Sequence, residues 1–277
     1  MKTIKEFGIR RFATFTVLAT LGCTTLALAI TNGTLDTVHS YTGAIIAPNK
    51  FGFTGFTGGN GLISCTGTLV SPRVVVTAGH CVYDFMVFGV GPGDLHVDFD
   101  WANVYTYPNS SWRNVTSYAL MPGFQVTSSS TPDTNDIGVI ILASPLNDIT
   151  PAQLAPVGFL DNYPALNMAT TSILGYGLNE QLVFTGNRLS TTSYVINLND
   201  TWLKRSDTPG GICAFDSGGP TLLVKGTTEY QVGVHSSGTG NTGRGGTVNG
   251  CGENSYDTRV DTVAVQSFIQ QQIAGNP

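Results

Sequence analysis

The stretch Cys213–Pro220, which reads Cys-Ala-Phe-Asp-Ser-Gly-Gly-Pro, has the residue types of an exposed nucleophile. Ser217 stands between an acid and two glycines, and Pro220 ends any helix or central strand. Glycines beside a hydroxyl let a substrate backbone come close, and the neighbouring backbone N–H groups can face a developing oxyanion. An ordinary glycine-rich turn would have the same residues. Residues elsewhere in the chain must therefore decide between a nucleophile and an ordinary turn.

A histidine that could serve such a serine follows an apolar segment. His80 comes after Val74–Thr77, on a predicted turn opened by Gly79, and Cys81 adjoins it. A lone histidine is usually a loop or packing residue. A bridge from Cys81 to Cys65 would stabilise the hairpin by roughly 3 kcal/mol. Such a bridge makes sense if the imidazole must keep one orientation.

An acid is placed in a similar way before another apolar segment. Asp136 immediately precedes Ile137–Leu142, a run too apolar to lie on the surface. An aspartate before a strand is most often a turn former. One that leads into a buried strand is also well placed to be a desolvated partner for an imidazole N–H.

The elements that must position these residues are predicted to be short strands. Apolar, β-branched runs alternate with Gly, Pro, Asn and Ser, which favours antiparallel all-β barrels or sandwiches over βαβ units. Leu146–Pro156, with low apolar density and prolines, is the candidate domain boundary, and Ser236–Gly250 is predicted to be a long loop. A terminal amphipathic helix is predicted after Asp261. The predicted strands are Ala44–Ala47, Gly67–Val70, Val74–Thr77, Phe85–Val90, Ile137–Leu142, Ser172–Leu174, Ser193–Ile196, Thr221–Val224 and Tyr230–Val234.

The N-terminus and the cysteines indicate export. Residues 1–29 carry four bases, an apolar run and a terminal Ala-Leu-Ala, the pattern of a secretory signal peptide. Their removal takes away four basic residues and one acidic residue, so the net charge changes from −5 to −8. Such an acidic protein argues against nucleic acid and anionic membranes as partners. Four cysteines remain after Cys23 is lost, which predicts two disulfides with three open connectivities.

Taken together, these residues resemble the trypsin/chymotrypsin-like serine proteases from about Ile30 to the C-terminus. The resemblance implies an all-β fold of two six-stranded antiparallel β-barrels, chymotrypsin-like, with a C-terminal α-helix and the active site in the cleft between barrels. The predicted domains are the signal peptide 1–29, an N-terminal barrel 30–150 and a C-terminal barrel 151–277. The matching segments are Thr77–Cys81, Asn135–Ile137 and Asp216–Pro220, supported by Met121–Phe124, Gly175–Gly177 and Thr258–Val260.

The same resemblance implies a function and a set of roles. The protein is expected to be a secreted serine endopeptidase, extracellular or periplasmic, that acts on proteins or peptides as a monomer without metal or organic cofactor. Ser217 would be the nucleophile, His80 the general base and then acid, and Asp136 the residue that fixes the imidazole tautomer. A bridge between Cys213 and Cys251 would frame the specificity pocket. The remaining histidines are expected to be structural: His39, His96 and His235.

The resemblance also implies an activation pair. Ile30-Thr31-Asn32-Gly33 is similar to the N-terminus of the mature family members, whose α-ammonium inserts and pairs with the acid before the nucleophile. That acid is Asp216 here, although it could simply close a turn. Ala29 precedes Ile30, so cleavage by signal peptidase rather than by a trypsin-type protease is expected to expose Ile30.

Two departures from the family pattern leave alternatives open. Phe215 stands where the family has glycine, and its N–H and that of Ser217 would form the oxyanion hole, so a catalytically weak or inactive binding protein is the alternative function. At the pocket floor Gly211 replaces the usual acid, which favours a neutral pocket for apolar or aromatic side chains, whereas Asp257 could restore a preference for basic ones. The expected substrate-binding residues are Gly211, Ser236, Ser237, Gly238 and Ser255.

Overall fold

The computed structural model describes residues 30–47, 62–102, 104, 111–127, 132–239, 251 and 253–277. The predicted signal peptide, 1–29, lies outside the described residues, as does most of the predicted loop after Ser236. No helix in the described part of the chain is long and apolar enough to cross a membrane. The elements are β1 (Thr34–Leu35), β2 (Thr42–Ala47), β3 (Leu62–Leu69), β4 (Val74–Thr77), α1 (Gly79–Val87), β5 (His96–Asp98), β6 (Arg113–Leu120), β7 (Gly138–Leu142), β8 (Thr170–Gly175), β9 (Leu189–Leu198), β10 (Trp202–Ser206), β11 (Pro220–Lys225), β12 (Thr228–Thr239), β13 (Asn254–Arg259) and α2 (Val263–Gly275), with one 3₁₀ turn at Pro92–Asp94.

The first half of the chain forms a closed antiparallel barrel with the strand order β2-β3-β4-β7-β6-β5. Strands β2, β4 and β7 are buried along their whole length. Their runs of Val, Ile and Ala therefore show no polar alternation, as expected for strands that are covered on both faces. The continuous apolar runs that predicted β4 and β7 thus reflect their place in the interior of the molecule.

The second half forms another six-stranded antiparallel barrel, which closes through the pairing of β8 with β9. Its strand order is β9-β10-β13-β12-β11-β8, and β1 adds at one edge by pairing with β9. Helix α2 follows the last strand; its N-terminus is capped by the Thr262 hydroxyl, which accepts from the Val265 N–H at 3.3 Å. The predicted fold class, two six-stranded antiparallel barrels with a C-terminal helix, is confirmed.

The chain passes from one barrel to the other around residues 152–155. The Ala152 N–H donates to Leu69 O in the first barrel at 2.9 Å, and the Ala155 N–H donates to Gln231 O in the second at 2.9 Å. Each end of the chain also contacts the barrel that the other half of the chain forms. Strand β1 pairs with the second barrel, whereas α2 contacts β4 of the first.

The segment that leads from β1 to β2 carries a charged cluster at the surface between the barrels. His39 Nδ1 lies 2.6 Å from Asp36, and its Nε2 lies 3.1 Å from Glu229 of β12. The buried Arg188 lies 3.3 Å from the other oxygen of Asp36. Burial alone would lower the pKa of His39, but hydrogen bonds to the two carboxylates outweigh it and raise the pKa to about 9. A charged His39 thus ties the crossing segment to β12.

Two local predictions are wrong. The apolar run Phe85–Val90 is predicted to be a strand, but its first half lies in α1 and its second half lies beyond the end of this helix. Val82 and Phe85 face the core three residues apart while Met86 and Val87 are exposed, which is the period of a helix and not of a strand. The predicted loop also begins too early, because residues 236–239 belong to β12 and residues 237–239 pair with β13.

Candidate active site

The pairing of β4 with β7 brings His80 and Asp136 together. Thr77 at the end of β4 pairs with Gly138 at the start of β7, so the residues just beyond these two strand ends are neighbours in space. Gly79 begins α1, and His80 therefore lies in the first helical turn rather than in an open turn. Its Nδ1 is 2.8 Å from Asp136 Oδ2, and its backbone N–H donates to Asp136 Oδ1 at 2.7 Å.

The carboxylate of Asp136 is fully buried yet ionised. Burial raises its pKa, but the charge and hydrogen bonds of His80 and the hydroxyl of Ser236 lower the pKa further than burial raises it. Ser236 Oγ donates to Asp136 Oδ2 at 2.6 Å. Because a carboxylate only accepts hydrogen bonds, His80 Nδ1 carries the proton in this contact, and a neutral ring then has its acceptor lone pair on Nε2.

Ser217 lies at the junction of the barrels, beside the residue that follows His80. Its carbonyl accepts from the Thr66 N–H of β3 at 2.8 Å and lies 3.8 Å from Cys81 Sγ. The next residue, Gly218, has φ +85°, and a Cβ there would collide with the Thr66 carbonyl and Thr77. Only glycine fits this turn, so it sets how closely the segment around Ser217 approaches the first barrel.

The two disulfides form as predicted. Cys65 bonds to Cys81 and Cys213 bonds to Cys251. The first joins β3 to α1 directly beside His80, and the second closes the segment that carries Ser217 onto the chain before β13. Of the three connectivities that the cysteine count leaves open, the structure adopts the one that the resemblance implies.

Phe215 keeps a backbone conformation that favours glycine. Its φ is +74°, in the left-handed region that costs an L-residue about 1–2 kcal/mol. Its carbonyl accepts from Thr66 Oγ1 at 3.2 Å, and its ring lies 4.9 Å from that of Phe184. The peptide thus has the φ expected of glycine at this position despite the bulky side chain, and these contacts compensate for the strain.

Asp216 is a fully buried carboxylate that precedes Ser217 in the chain. It accepts from the N–H groups of Gly177 and Cys213, each at 2.8 Å, and burial raises its pKa to about 7. Among the described residues no cation lies within ion-pair distance of it. Ile30 is fully buried in an apolar cluster that includes Ile212, and the Thr31 N–H donates to Gly211 O at 3.0 Å.

The predicted pocket residues fall into two groups. Ser237 and Gly238 remain partly exposed on β12, but Ser236 donates to Asp136 and Ser255 is fully buried. Asp257 does not present a free charge: its carboxylate accepts from Arg205 Nε at 2.5 Å and Nη2 at 2.9 Å, and from Thr221 at 2.7 Å. The basis for a basic preference through Asp257 is therefore removed.

Sequence reasoning missed Asp207, the acid that lies beside the predicted pocket floor. A Cβ built on Gly211 would collide with the Asp207 side chain. Its carboxylate accepts from Ser255 Oγ at 2.6 and 2.8 Å and lies 3.9 Å from Arg205. Burial outweighs these partners and raises the pKa of Asp207 to about 6. No local pattern marks this residue, because its neighbours come from β10 and β13.

Among the residues that the structure describes, two groups of side chains have the proximity that a metal ion would need, and the first of them is ruled out chemically. It contains Cys65 and Cys81, whose sulfurs form a disulfide and offer no thiolate. The second joins Asp133 to the hydrogen-bonded pair of His80 and Asp136. The described contacts are those of an aspartate that orients a histidine, and the cysteine that follows this histidine lies beside the backbone carbonyl of Ser217 on a glycine-rich turn.

One comparison with known proteins agrees with this arrangement. The family model described as Trypsin matches residues 43–254, which is well over half of the chain. The matched range contains His80, Asp136 and Ser217, both disulfides, and strands β3 to β12 with nearly all of β2, whereas β1 and all but the first residue of β13 lie outside it.

Proposed function

This chain belongs to the trypsin family, and on that premise we propose that it is a serine endopeptidase that cleaves peptide bonds through an acyl-enzyme on Ser217. The family implies protein substrates. The observation that carries the proposal is the double hydrogen bond by which Asp136 orients His80, one residue from the cysteine that contacts Ser217. Burial of the Asp136 carboxylate beside His80 costs desolvation free energy, and a histidine with only a structural role would not need such a partner.

The proposed reaction has two steps that share one proton carrier. Ser217 Oγ attacks the substrate carbonyl carbon while His80 Nε2 takes its proton, and the developing imidazolium is stabilised by Asp136. His80 then gives this proton to the leaving amine as the C–N bond breaks. Water attacks the ester in the same way, with His80 again as base, and Ser217 recovers its proton when the carboxylic acid leaves.

In each step the negative charge on the carbonyl oxygen is assigned to the N–H groups of Phe215 and Ser217. A single donor of this kind is worth about 10²–10³ in turnover. The glycine-like φ of +74° at Phe215 supports a correctly turned donor. It weighs against the second candidate function, a binding protein without activity, which rests on the replacement of glycine at this position.

We also propose that the mature enzyme begins at Ile30 and that its new α-ammonium pairs with Asp216. The buried position of Ile30 and the uncompensated carboxylate of Asp216 support this pair. Secretion to the extracellular space or periplasm, after removal of residues 1–29, is supported by the two disulfides.

The decisive experiment is labelling of secreted protein with a fluorophosphonate, which phosphonylates only an activated serine. The wild type is expected to be labelled and to cleave a denatured protein substrate, and Ser217→Ala to do neither. Ser144→Ala, at an exposed serine far from the site, is the matched control. Correctly processed wild-type protein that is not labelled would favour the binding protein.

A further inference from the structure

A second carboxylate lies beside the pair formed by His80 and Asp136. Asp133 belongs to the segment that leads into β7, three residues before Asp136. One ring nitrogen of His80 and one carboxylate oxygen from each aspartate all lie within 4.8 Å of one another. Asp136 is fully buried, whereas His80 and Asp133 are only partly buried, so solvent reaches two of the three side chains. The proposed reaction uses His80 and Asp136 and gives no role to Asp133.

His80 has the hydrogen bond that metal-binding histidines commonly have. Such a histidine donates one ring N–H to a carboxylate, which orients the ring and makes its other nitrogen a stronger ligand. In this protein the Nδ1 of His80 contacts the Asp136 carboxylate at 2.8 Å, and the lone pair of the neutral ring is then on Nε2. The orientation that suits His80 to accept a proton therefore also suits it to bind a metal ion.

Asp133 is held by hydrogen bonds of its own. Its Oδ1 accepts from the Thr127 N–H at 2.7 Å and from the Thr127 hydroxyl at 3.3 Å. Carboxylates that bind metals are usually oriented in this way. An imidazole nitrogen together with carboxylate oxygens is a ligand set that Zn²⁺ accepts, whereas Ca²⁺ and Mg²⁺ prefer oxygen ligands alone. The ligand types at this position therefore favour Zn²⁺.

We propose that Zn²⁺ binds reversibly to His80 and Asp133, supported by Asp136, and thereby inhibits the enzyme. The inference rests on the proposed peptidase function and adds a means of regulating it. A metal ion on His80 Nε2 occupies the lone pair that accepts the Ser217 proton in the proposed reaction. The general base is lost while the metal is bound, and it is recovered when a chelator removes the metal.

Metal binding can be measured without any activity. Ser217→Ala protein, stripped of metal with a chelator and dialysed, is titrated with ZnCl₂ in a calorimeter. Asp133→Asn in the same background is expected to weaken Zn²⁺ binding by at least about tenfold, because loss of a group that merely supports a metal ligand already costs about 10- to 100-fold in affinity. Asp148→Asn, at an exposed acid outside the group, is the matched control and should bind Zn²⁺ as its parent does. Equal affinity with and without Asp133 would overturn the inference.

Inhibition is measured with wild-type protein stripped of metal in the same way. ZnCl₂ is expected to slow both hydrolysis of a peptide substrate and labelling by the fluorophosphonate, and EDTA should restore both rates. CaCl₂ and MgCl₂ at the same concentrations are the controls and should not inhibit. Asp133→Asn, compared with itself in the absence of metal, should need at least about tenfold more Zn²⁺ for half-inhibition, whatever its basal turnover.

The two measurements separate two kinds of failure. Wild-type hydrolysis that is not slowed by ZnCl₂ would refute the inference and leave the peptidase intact. Zinc binding by Ser217→Ala, together with metal-free wild-type protein that neither hydrolyses a substrate nor reacts with the fluorophosphonate, would refute the proposed function and leave the metal site.

Discussion

Asp136 contacts His80 at two points, with one carboxylate oxygen 2.8 Å from the ring Nδ1 and the other accepting the histidine's own backbone N–H at 2.7 Å. The backbone contact fixes where α1 begins, and the ring contact fixes the tautomer. One buried carboxylate makes both contacts. A substitution that keeps the shape of this side chain but alters its hydrogen bonding should therefore lower the proposed activity more than the stability of the fold.

Asp136→Asn is expected to lower kcat by about 10⁴ with little change in KM, because an amide cannot stabilise an imidazolium and disfavours the Nδ1–H tautomer. The measurement is steady-state hydrolysis of a peptide substrate by secreted protein with both disulfides formed. Asp148→Asn, at an exposed acid, is the control and should retain activity. A loss below tenfold would show that Asp136 is not the partner of a catalytic imidazole.

Ser236→Ala removes the second hydrogen bond to the same carboxylate. Hydrogen bonds to charged groups contribute about 1.5–3 kcal/mol, so kcat is expected to fall by roughly 10- to 100-fold. The acid limb of the pH profile should also move to higher pH if the carboxylate becomes harder to ionise, and this shift would not arise from lost substrate binding. A rise in KM alone, with kcat unchanged, would instead assign Ser236 to substrate binding.

Phe215 offers a comparison between two variants that both lose the ring. Phe215→Gly relieves the left-handed strain and Phe215→Ala does not, so the glycine variant is expected to be more stable than the alanine variant by about 1 kcal/mol. Urea unfolding in a Ser217→Ala background avoids self-digestion. In the active background, kcat of Phe215→Gly should stay within a few-fold of wild type. A rise of a hundredfold would mean that phenylalanine had turned the N–H away from the oxyanion.

The His39 cluster predicts a pH-dependent contribution to stability. The pKa of His39 is raised from about 6.5 to about 9, so the contribution is complete below pH 6.5 and is lost as pH rises through 9. The pKa values of Asp36 and Glu229 are lowered, so their part is lost only in acid. In a Ser217→Ala background, His39→Gln should destabilise by about 2–3 kcal/mol at pH 6 and by much less at pH 10. Equal losses at both pH values would contradict an ionic role.

The activation pair predicts that activity depends on the first residue of the chain. N-terminal sequencing of secreted protein is expected to begin at Ile30. A form that retains Ala29 should be less active by about 10²–10³, since Asp216 would lack its buried partner. Active-site titration of the two forms, prepared by different cleavage sites, gives the comparison. Equal activity, or a natural start several residues away, would refute the pair.

Local sequence was sufficient for much of the fold and for the contact between His80 and Asp136. His80 and Asp136 each adjoin a continuous apolar run, and such runs identified β4 and β7 as buried strands. The short run Phe85–Val90 was misread because an apolar stretch of that length fits a strand or a helix equally well.

What sequence could not provide depends on register between distant strands. The ladder between β12 and β13 shifts between His235 and Ser237, and beside this shift Ser236 reaches Asp136 instead of serving only the pocket. Asp207 meets Ser255 because Arg205, two residues before it, is paired with Ser255 across β10 and β13. Neither contact can be predicted from the residues that are adjacent in the sequence.

The exchange of chain ends between the barrels has a consequence for the integrity of the molecule. The first strand of the chain adds to the edge of the second barrel, and the last helix contacts the first barrel. Separation of the two barrels would break both of these contacts, and it would also part the proposed nucleophile Ser217 from the proposed base His80. Because each end of the chain contacts the barrel formed by the other half, the two barrels are expected to unfold in a single cooperative transition. The proposed activity should be lost in the same transition.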